Sequence, residues 1–358
     1  MVNRRGFLRG TAGIAFTGCA LLDQAKAQQK KAGSAAASKR EVKVGGKRIR
    51  TIDIHSHAVV PEAHAITGTK PTGPEVGANW SVDERLRTMD QQGIDVEAIS
   101  INPFWYEAPR DTASKVIPLL NESLAKLCAS RPDRFVGFAT IALQHPDLAA
   151  QQLEDGIKKL GLHGGSIGCV CAGEELSARK FDPFWAKAEE LDVLLFMHPT
   201  GVPELAKRLQ GNGLLTNVIG NPLETTIALS HIIFDGVLDR FPKLKICAAH
   251  GGGYLGSYAD RSDHGCVTFP DACKPYPALK KKATEYVKQL YFDSLVFTPE
   301  ALRHLVTNSR VDHIMIGTDY PYPWVTDPVD HILNTPGFSN AQKEMMLGGN
   351  AARLLKLK

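Results

Sequence analysis

The sequence predicts an α/β fold, a single-domain (β/α)8 TIM barrel preceded by a cleavable leader. Eight short apolar runs with strand character recur through residues 49–321, and each is followed by a segment of helical character. Parallel strands need crossover connections, usually helices, and eight such units in about 300 residues match the usual size of this barrel. The turn after the first strand reads His55-Ser56-His57, where a doubly wound nucleotide-binding sheet would carry a glycine-rich phosphate loop.

In chain order, residues 1–27 read as a twin-arginine-type signal peptide. Arg4-Arg5 is followed by Phe7-Leu8-Arg9, a modest apolar stretch from Thr11 to Leu22, and the small-residue pattern Ala25-Lys26-Ala27. This implies export to the periplasm; a lipoprotein anchor at Cys19 is the weaker alternative, because Phe16 is an unusual first residue for such a box. Residues 28–48 read as a flexible basic linker, and residues 49–358 as the barrel domain. The expected strands are Ile49–His55, Val96–Ile101, Arg134–Ala142, Gly164–Cys169, Val193–His198, Lys245–His250, Leu290–Val296 and His313–Thr318. The helices between them are Ser81–Gln91, Asp111–Arg131, Asp147–Leu160, Pro183–Leu191, Pro222–Phe241, Gly252–Asp263, Pro299–Asn308 and Ser339–Leu355. Several open on Ser, Asp or Pro, which suit helix starts. Gly252–Asp263, glycine-rich at its start, is the ambiguous one.

The formal charge of +4 is carried by the N-terminus. Residues 1–27 hold four Lys/Arg against one Asp, and residues 28–50 hold eight against one Glu. The remaining body has 30 Lys/Arg and 36 Asp/Glu, a net of −6. A nucleic-acid partner would need basic charge on the folded body, so none is expected, and no transmembrane segment is expected either. No CxxC pair occurs, and Cys128, Cys169, Cys171, Cys247, Cys266 and Cys273 are expected to be buried free thiols.

Active sites of this fold lie at the carboxyl ends of the strands. There stand Asp53-Ile54-His55-Ser56-His57, Met197-His198-Pro199, Ala249-His250-Gly251-Gly252-Gly253 and Gly317-Thr318-Asp319-Tyr320-Pro321. Four of the 12 histidines share these few positions, which makes a metal site a better account than four separate core histidines. Residues i and i+2 of a strand point the same way, so His55 and His57 can approach one ion together. His198 and Asp319 could complete the shell. Three nitrogens and one carboxylate suit a single divalent metal, zinc first, with manganese, iron and cobalt as alternatives. His250 suits either a further ligand or a free base; the base role is preferred, because a metal-bound water needs a proton acceptor beside it. The glycines after it would let the backbone approach a bound group, and a helix starting there would favour an anion.

Together these motifs resemble the amidohydrolase superfamily, in its aminocarboxymuconate-semialdehyde decarboxylase-like branch. The resemblance runs from about Thr51 to the C-terminus and includes Phe135-Val136-Gly137, Phe241-Pro242-Lys243-Leu244-Lys245-Ile246-Cys247 and Gly349-Asn350-Ala351. It implies a one-metal barrel with His55, His57, His198 and Asp319 as metal ligands and His250 as the acid/base residue, with Asp319 also in the catalytic set. Arg85 matches a substrate-carboxylate arginine. Arg261 matches a second one, which reaches in from the partner subunit of a homodimer. Without the resemblance both would read as surface helix residues.

Three departures bear on substrate. The fourth strand, His163–Cys169, has no Lys to bridge two metals; Thr200 stands where the decarboxylase proper has an aromatic; and residues 64–79 are short of the family's charged residues. The expected activity is non-oxidative decarboxylation of an unsaturated or aromatic carboxylate, a small-molecule substrate. The alternatives are metal-dependent hydrolysis of an ester, lactone, amide or C–C bond, and a binding protein that has lost catalysis.

Overall fold

The computed structural model describes residues 39–70, 81–102, 104–273 and 279–358. The expected signal peptide and residues 28–38 of the expected linker lie outside the described residues. The compact body spans Arg40–Lys358.

The barrel strands are β1 (Ile52–Ala58), β2 (Val96–Ile101), β3 (Phe135–Gly137, resumed at Ala139–Thr140), β4 (Gly164–Ile167), β5 (Leu194–Met197), β6 (Lys245–Ala248), β7 (Tyr291–Asp293) and β8 (Ile314–Met315). Each pairs in parallel with the next. β3 changes partner across Phe138, its first part bonding β2 and its second β4. The ring closes where the chain after β8 meets β1: Ile54 N donates to Ile316 O at 2.8 Å and His57 N to Tyr320 O at 2.7 Å.

The two-residue period of a strand separates two apolar layers. Ala98, Phe138, Leu194, Phe196, Cys247 and Ala249 belong to one buried cluster, whereas Ile99, Leu195, Met197, Ile246 and Ala248 pack with the helices in another. Continuing the first series toward the strand ends brings Ser100, within β2, and His198, just past β5, to the open mouth of the barrel.

The helices form where their caps and apolar stripes put them. α1 (Val82–Gln92) starts at Ser81, whose Oγ accepts from Glu84 N at 3.4 Å. α2 (Arg110–Ser130), α3 (Pro146–Lys158) and α4 (Asp182–Leu191) lie within two residues of the expected bounds. The expected Pro222–Phe241 helix is divided into α5 (Gly220–Phe234) and the turn Val237–Arg240, because Gly236 takes a left-handed φ of 73°. α6 (Leu255–Thr268) starts three residues later than expected, and α7 (Pro299–Asn308) is capped by Thr298. The C-terminal helix runs as Asn340–Glu344, a π-helical stretch Met345–Gly349, and Asn350–Leu354. A Cβ on Gly348 would stand 2.0 Å from Arg50 O, so glycine is required for this helix to close the barrel floor.

Two expectations are corrected. Residues 40–48, expected as linker, are folded. They contain the hairpin Lys43–Val44 with Lys47–Arg48, bury Val42 and Val44, and tie Arg40 to Asp330 by two hydrogen bonds. Apolar residues at alternate positions account for this order despite the local charge. The six thiols are not all free: Cys266 and Cys273 form a disulfide, while Cys128, Cys169, Cys171 and Cys247 remain thiols.

Candidate active site

His55 and His57 sit on β1, His198 follows β5, His250 follows β6 and Asp319 follows β8. One donor atom from each of His55, His57, His198 and Asp319 lies within 4.8 Å of the other three, and all four residues are buried. Phe196 packs beneath them, its ring centroid 4.9 Å from that of His55.

Hydrogen-bond partners fix the imidazole tautomers. His55 Nδ1 donates to Asp293 Oδ2 at 2.6 Å. His57 Nδ1 donates to Ser100 Oγ at 2.9 Å, since the Ser100 hydroxyl gives its own proton to Ser56 O. In the neutral imidazoles both Nε2 atoms therefore present lone pairs. They stand 3.1 Å apart, and Asp319 Oδ1 is 3.1 Å from one and 2.8 Å from the other. Three acceptors this close repel one another, and a single proton can serve only one pair. A cation among them satisfies all three. His198 Nε2, 3.9 Å from the same oxygen, has no partner among the described residues. Its Nδ1 is 3.4 Å from the Asn102 amide, whose Oδ1 also lacks a partner; turned over, that amide would accept the Nδ1 proton and leave Nε2 as a fourth donor to a metal.

The proton affinities of His198 and His57 agree with this pattern, whereas His55 would have to give up a proton to a bound cation. Burial lowers the proton affinity of His198 far below the usual imidazole range, with His57, His55 and His250 adding to it; burial likewise lowers that of His57. Burial would also depress His55, but the Asp319 and Asp293 carboxylates outweigh it and push its pKa up to about 10. Asp319 is held well below the carboxylate range, because His55, His250 and His57 outweigh its burial.

Asp293, which the sequence reading passed over, organises the site from β7. Its Oδ2 accepts from His55 Nδ1 and from His250 N at 2.9 Å, and its Oδ1 accepts from Gly251 N at 2.8 Å and Leu295 N at 3.1 Å. The expected strand Leu290–Val296 put Asp293 at its middle, whereas the observed strand ends at Asp293 and so brings it to the barrel mouth.

The turn His250-Gly251-Gly252-Gly253 has four successive positive φ values, 56°, 63°, 77° and 66°. A Cβ on Gly252 would stand 2.4 Å from the Phe292 ring, and one on Gly253 2.2 Å from Pro222 O. The glycines thus allow close approach to neighbouring protein rather than to a ligand, and two of the amides expected to favour an anion are occupied by Asp293. The turn sets His250 Nε2 3.6 Å from Asp319 Oδ2, the carboxylate oxygen turned away from the His57 contact. His250 Nδ1 has no partner among the described residues.

Neither predicted arginine joins the cluster. Arg85, only 3% exposed, donates to Glu97 Oε2 at 2.7 Å and to His57 O, and its guanidinium lies 4.5 Å from the Tyr320 ring centroid. Its guanidinium is engaged by these protein groups and lines neither cavity near the site. Arg261 is exposed on α6 and likewise lines neither cavity.

A cavity of about 370 Å³ opens above the cluster, with His198 and Asp319 on its floor and His64, Asn102, Trp105, Asn217, Asn221 and Tyr322 on its walls. Trp105 and Thr200 separate it from a neighbouring space of about 600 Å³ lined by Phe104, Tyr106 and Glu224 among others. Glu224 holds the wall by accepting from Thr200 N and Gly201 N, both at 2.6 Å.

The amidohydrolase family profile matches residues 52–357, the whole barrel. The chain belongs to the amidohydrolase family. Among other members, 2-amino-3-carboxymuconate-6-semialdehyde decarboxylase of Dictyostelium discoideum is 33% identical over 79% of this chain and 79% of its own length. Gamma-resorcylate decarboxylase of Polaromonas sp. is 30% identical over 77% of this chain and 87% of its own. The crystal structure of a dihydroxybenzoic acid decarboxylase from Polaromonas sp. JS666, with bound manganese and the inhibitor 2-nitroresorcinol, superposes with a TM-score of 0.77. It has 28% identity and covers 86% of this chain and 97% of that one. In this amidohydrolase, among the described residues, no helix is long and apolar enough to cross a membrane.

Proposed function

We propose that this amidohydrolase is a metal-dependent, non-oxidative decarboxylase acting on an aromatic or unsaturated carboxylate. The observation that carries the reading is the buried set of four acceptors, with a fifth group, His250, standing outside it on the far oxygen of Asp319. The decarboxylases named above supply the reaction class.

His55, His57, His198 and Asp319 would hold one divalent ion, which would place positive charge beside the substrate's oxygens and draw electron density from the breaking bond. In the reaction the bond to the carboxylate breaks, its electron pair stays on the carbon, and a proton replaces CO2 there. His250 and Asp319 are the pair able to hold and move that proton, because His250 Nδ1 has no partner among the described residues and Nε2 faces the carboxylate. Asp293 keeps His55 in its donor tautomer and fixes the backbone of the His250 turn. Trp105 and Tyr322 offer aromatic walls to a planar substrate.

The donor set suits zinc; manganese, the ion in the Polaromonas structure, is the competing occupant. Metal analysis of protein purified without added metal, joined to a CO2-release panel of hydroxybenzoates and dienoates, tests the reading. Turnover that is lost on chelation and restored by one metal equivalent supports it; hydrolysis of esters or lactones without CO2 release overturns it.

Two further parts of the proposal concern assembly and location. A homodimer would pair the α6 regions, where Tyr258, one turn before Arg261, and Val267 and Phe269, at the helix end, are 60%, 77% and 67% exposed, and would carry Arg261 to the partner's substrate carboxylate. Export to the periplasm rests on the leader pattern, and the Cys266–Cys273 disulfide suits an oxidising compartment.

A further inference from the structure

The cavity above the metal cluster and the larger space beside it share two lining residues, Trp105 and Thr200. Both are held in place. Trp105 lies between Phe104 and Tyr106, which stack on each other with ring centroids 5.4 Å apart and planes at 17°, and which line the larger space. The Tyr106 hydroxyl accepts from Gly168 N at 3.0 Å, just after β4. The Trp105 carbonyl accepts from Ala108 N at 2.9 Å and Gln144 Nε2 at 3.0 Å, and His64 packs edge-on against the indole, with ring centroids 5.2 Å apart. From the other side, Thr200 donates to the buried Glu224 carboxylate from N at 2.6 Å and from Oγ1 at 3.3 Å.

Trp105 stands there at a φ of 61°, a left-handed conformation that a bulky residue rarely adopts and glycine adopts freely. Such strain persists only where the surrounding structure enforces it, and it concentrates at ligand-binding positions. Glycine would suit this backbone better; what it cannot supply is a wall. The two spaces that the wall divides also differ in charge. The larger is lined by Glu107, Glu175, Glu204 and Glu224 and, among the described residues, by no Lys or Arg, whereas the smaller has Lys70 on its rim and the metal cluster at its floor. A carboxylate substrate therefore keeps its anionic end on the cluster side and turns an uncharged edge toward Trp105. At about 370 Å³ the smaller cavity lies near the lower end of the range for ligand pockets, roughly 300–1,000 Å³.

Resting on the decarboxylase reading, we propose that Trp105 is a specificity-determining residue: it sets how far the uncharged edge of a substrate extends from the metal cluster toward the neighbouring space. A ring fused on that edge meets the indole and is excluded. Without the indole the two spaces join, and the same ring enters the larger one.

The test uses the full chain loaded with manganese and four probes: salicylate, 1-hydroxy-2-naphthoate, 2-hydroxy-1-naphthoate and 3-hydroxy-2-naphthoate. The three naphthoates each add one fused ring to salicylate along a different edge, so that one of them points at the wall. Titration calorimetry reads the affinities. The native protein is expected to bind at least one naphthoate about 10–100-fold more weakly than salicylate, the range for forcing extra volume against a packed wall. Trp105→Gly is expected to bind that same isomer within about threefold of salicylate, or more tightly than salicylate, with metal content unchanged. Salicylate itself is expected to bind this variant more weakly than the native protein, because it loses a wall. Opposite shifts of two probes separate the proposal from a merely structural role, which would weaken both. Trp105→Asn, also at ease at positive φ, is expected to behave likewise and decides alone if Trp105→Gly does not fold. An isomer that stays excluded in the open variants overturns the inference. So does a native protein that binds all four probes equally, or one that releases CO2 from some other carboxylate but binds none of the four; the decarboxylase reading survives that last result. Exclusion and rescue without CO2 release from any carboxylate uphold the wall and overturn the decarboxylase reading, and a native protein that binds no probe and releases no CO2 overturns both.

Discussion

Asp293→Asn is a sharp test of how the site is built. Asp293 accepts two hydrogen bonds on each carboxylate oxygen, from His55 Nδ1 and His250 N on one side and from Gly251 N and Leu295 N on the other. Asparagine has a single acceptor oxygen. Whichever way its amide turns, its NH2 faces two N–H donors, so two bonds to a charged acceptor are lost. At about 1.5–3 kcal/mol for each such bond, the metal-free protein should be destabilised by roughly 3–6 kcal/mol. Loss of a partner behind a metal-binding histidine also lowers metal affinity, typically about 10–100-fold. Urea unfolding of the metal-free protein measures the first effect, and competition against a chelator of known affinity measures the second. A variant within about 1 kcal/mol of the native stability and about threefold of its metal affinity would refute the reasoning, because at that level neither loss has occurred.

His198→Ala is expected to empty the metal site, whereas His250→Ala should keep the metal and lose about 10²–10⁴-fold in turnover, the usual effect of removing one acid/base group; elemental analysis beside CO2 release separates the two, and loss of metal from His250→Ala would make His250 a ligand. Arg85→Met should destabilise the fold by about 3–5 kcal/mol by stranding Glu97 in the interior, and Arg85→Met with Glu97→Met should recover much of that in denaturant unfolding. A raised KM in Arg85→Met at native stability would instead support the carboxylate-clamp role. Equal amounts of Arg261→Ala and His250→Ala protein, mixed and allowed to exchange subunits, should regain activity if Arg261 serves the partner's site, and exchange without recovery contradicts that arrangement.

The residues legible in the sequence were those that interrupt an apolar strand with a polar group. Leu194-Leu195-Phe196-Met197 cannot continue into His198 as core without a partner for the imidazole, and the same holds for the ends of β1, β6 and β8. Asp293 was hidden because the apolar run continues through Leu295-Val296, which puts it inside an expected strand, whereas the strand ends at Asp293. Arg85 was illegible for another reason. On a helical wheel it is one cation among several, and its burial follows from the β1–β2 register, which places Asp53 beside Glu97 and leaves two carboxylates in the interior. Sequence spacing on a helix cannot report a register between strands. His64 lay in a stretch with no expected element, so no period existed to give it a face.

Arg85 nevertheless bears on the chemistry of the site, through the backbone. One of its nitrogens holds the carbonyl of His57, while Glu97, which it also holds, stands next to Asp53 in the register. Asp53 in turn accepts from His55 N at 2.9 Å and from Thr318 Oγ1 at 2.6 Å, the residue before Asp319. Burial raises the proton affinity of Asp53 well above the carboxylate range, and Glu97 adds to it. Glu97 is itself raised by burial, against the pull of Arg85. The three groups therefore form a buried polar layer, joined to β1 at His55 and His57 and to the β8 turn at Thr318. Such a layer contributes little net stability, because desolvation offsets most of the attraction between its members. What it supplies is position: His55, His57 and Asp319 are held by one hydrogen-bonded set, so their donor atoms stay together although they repel in the absence of a cation. Replacing the layer with apolar residues could leave the barrel folded, but the cluster would lose the constraint that keeps three acceptors within about 3 Å of one another.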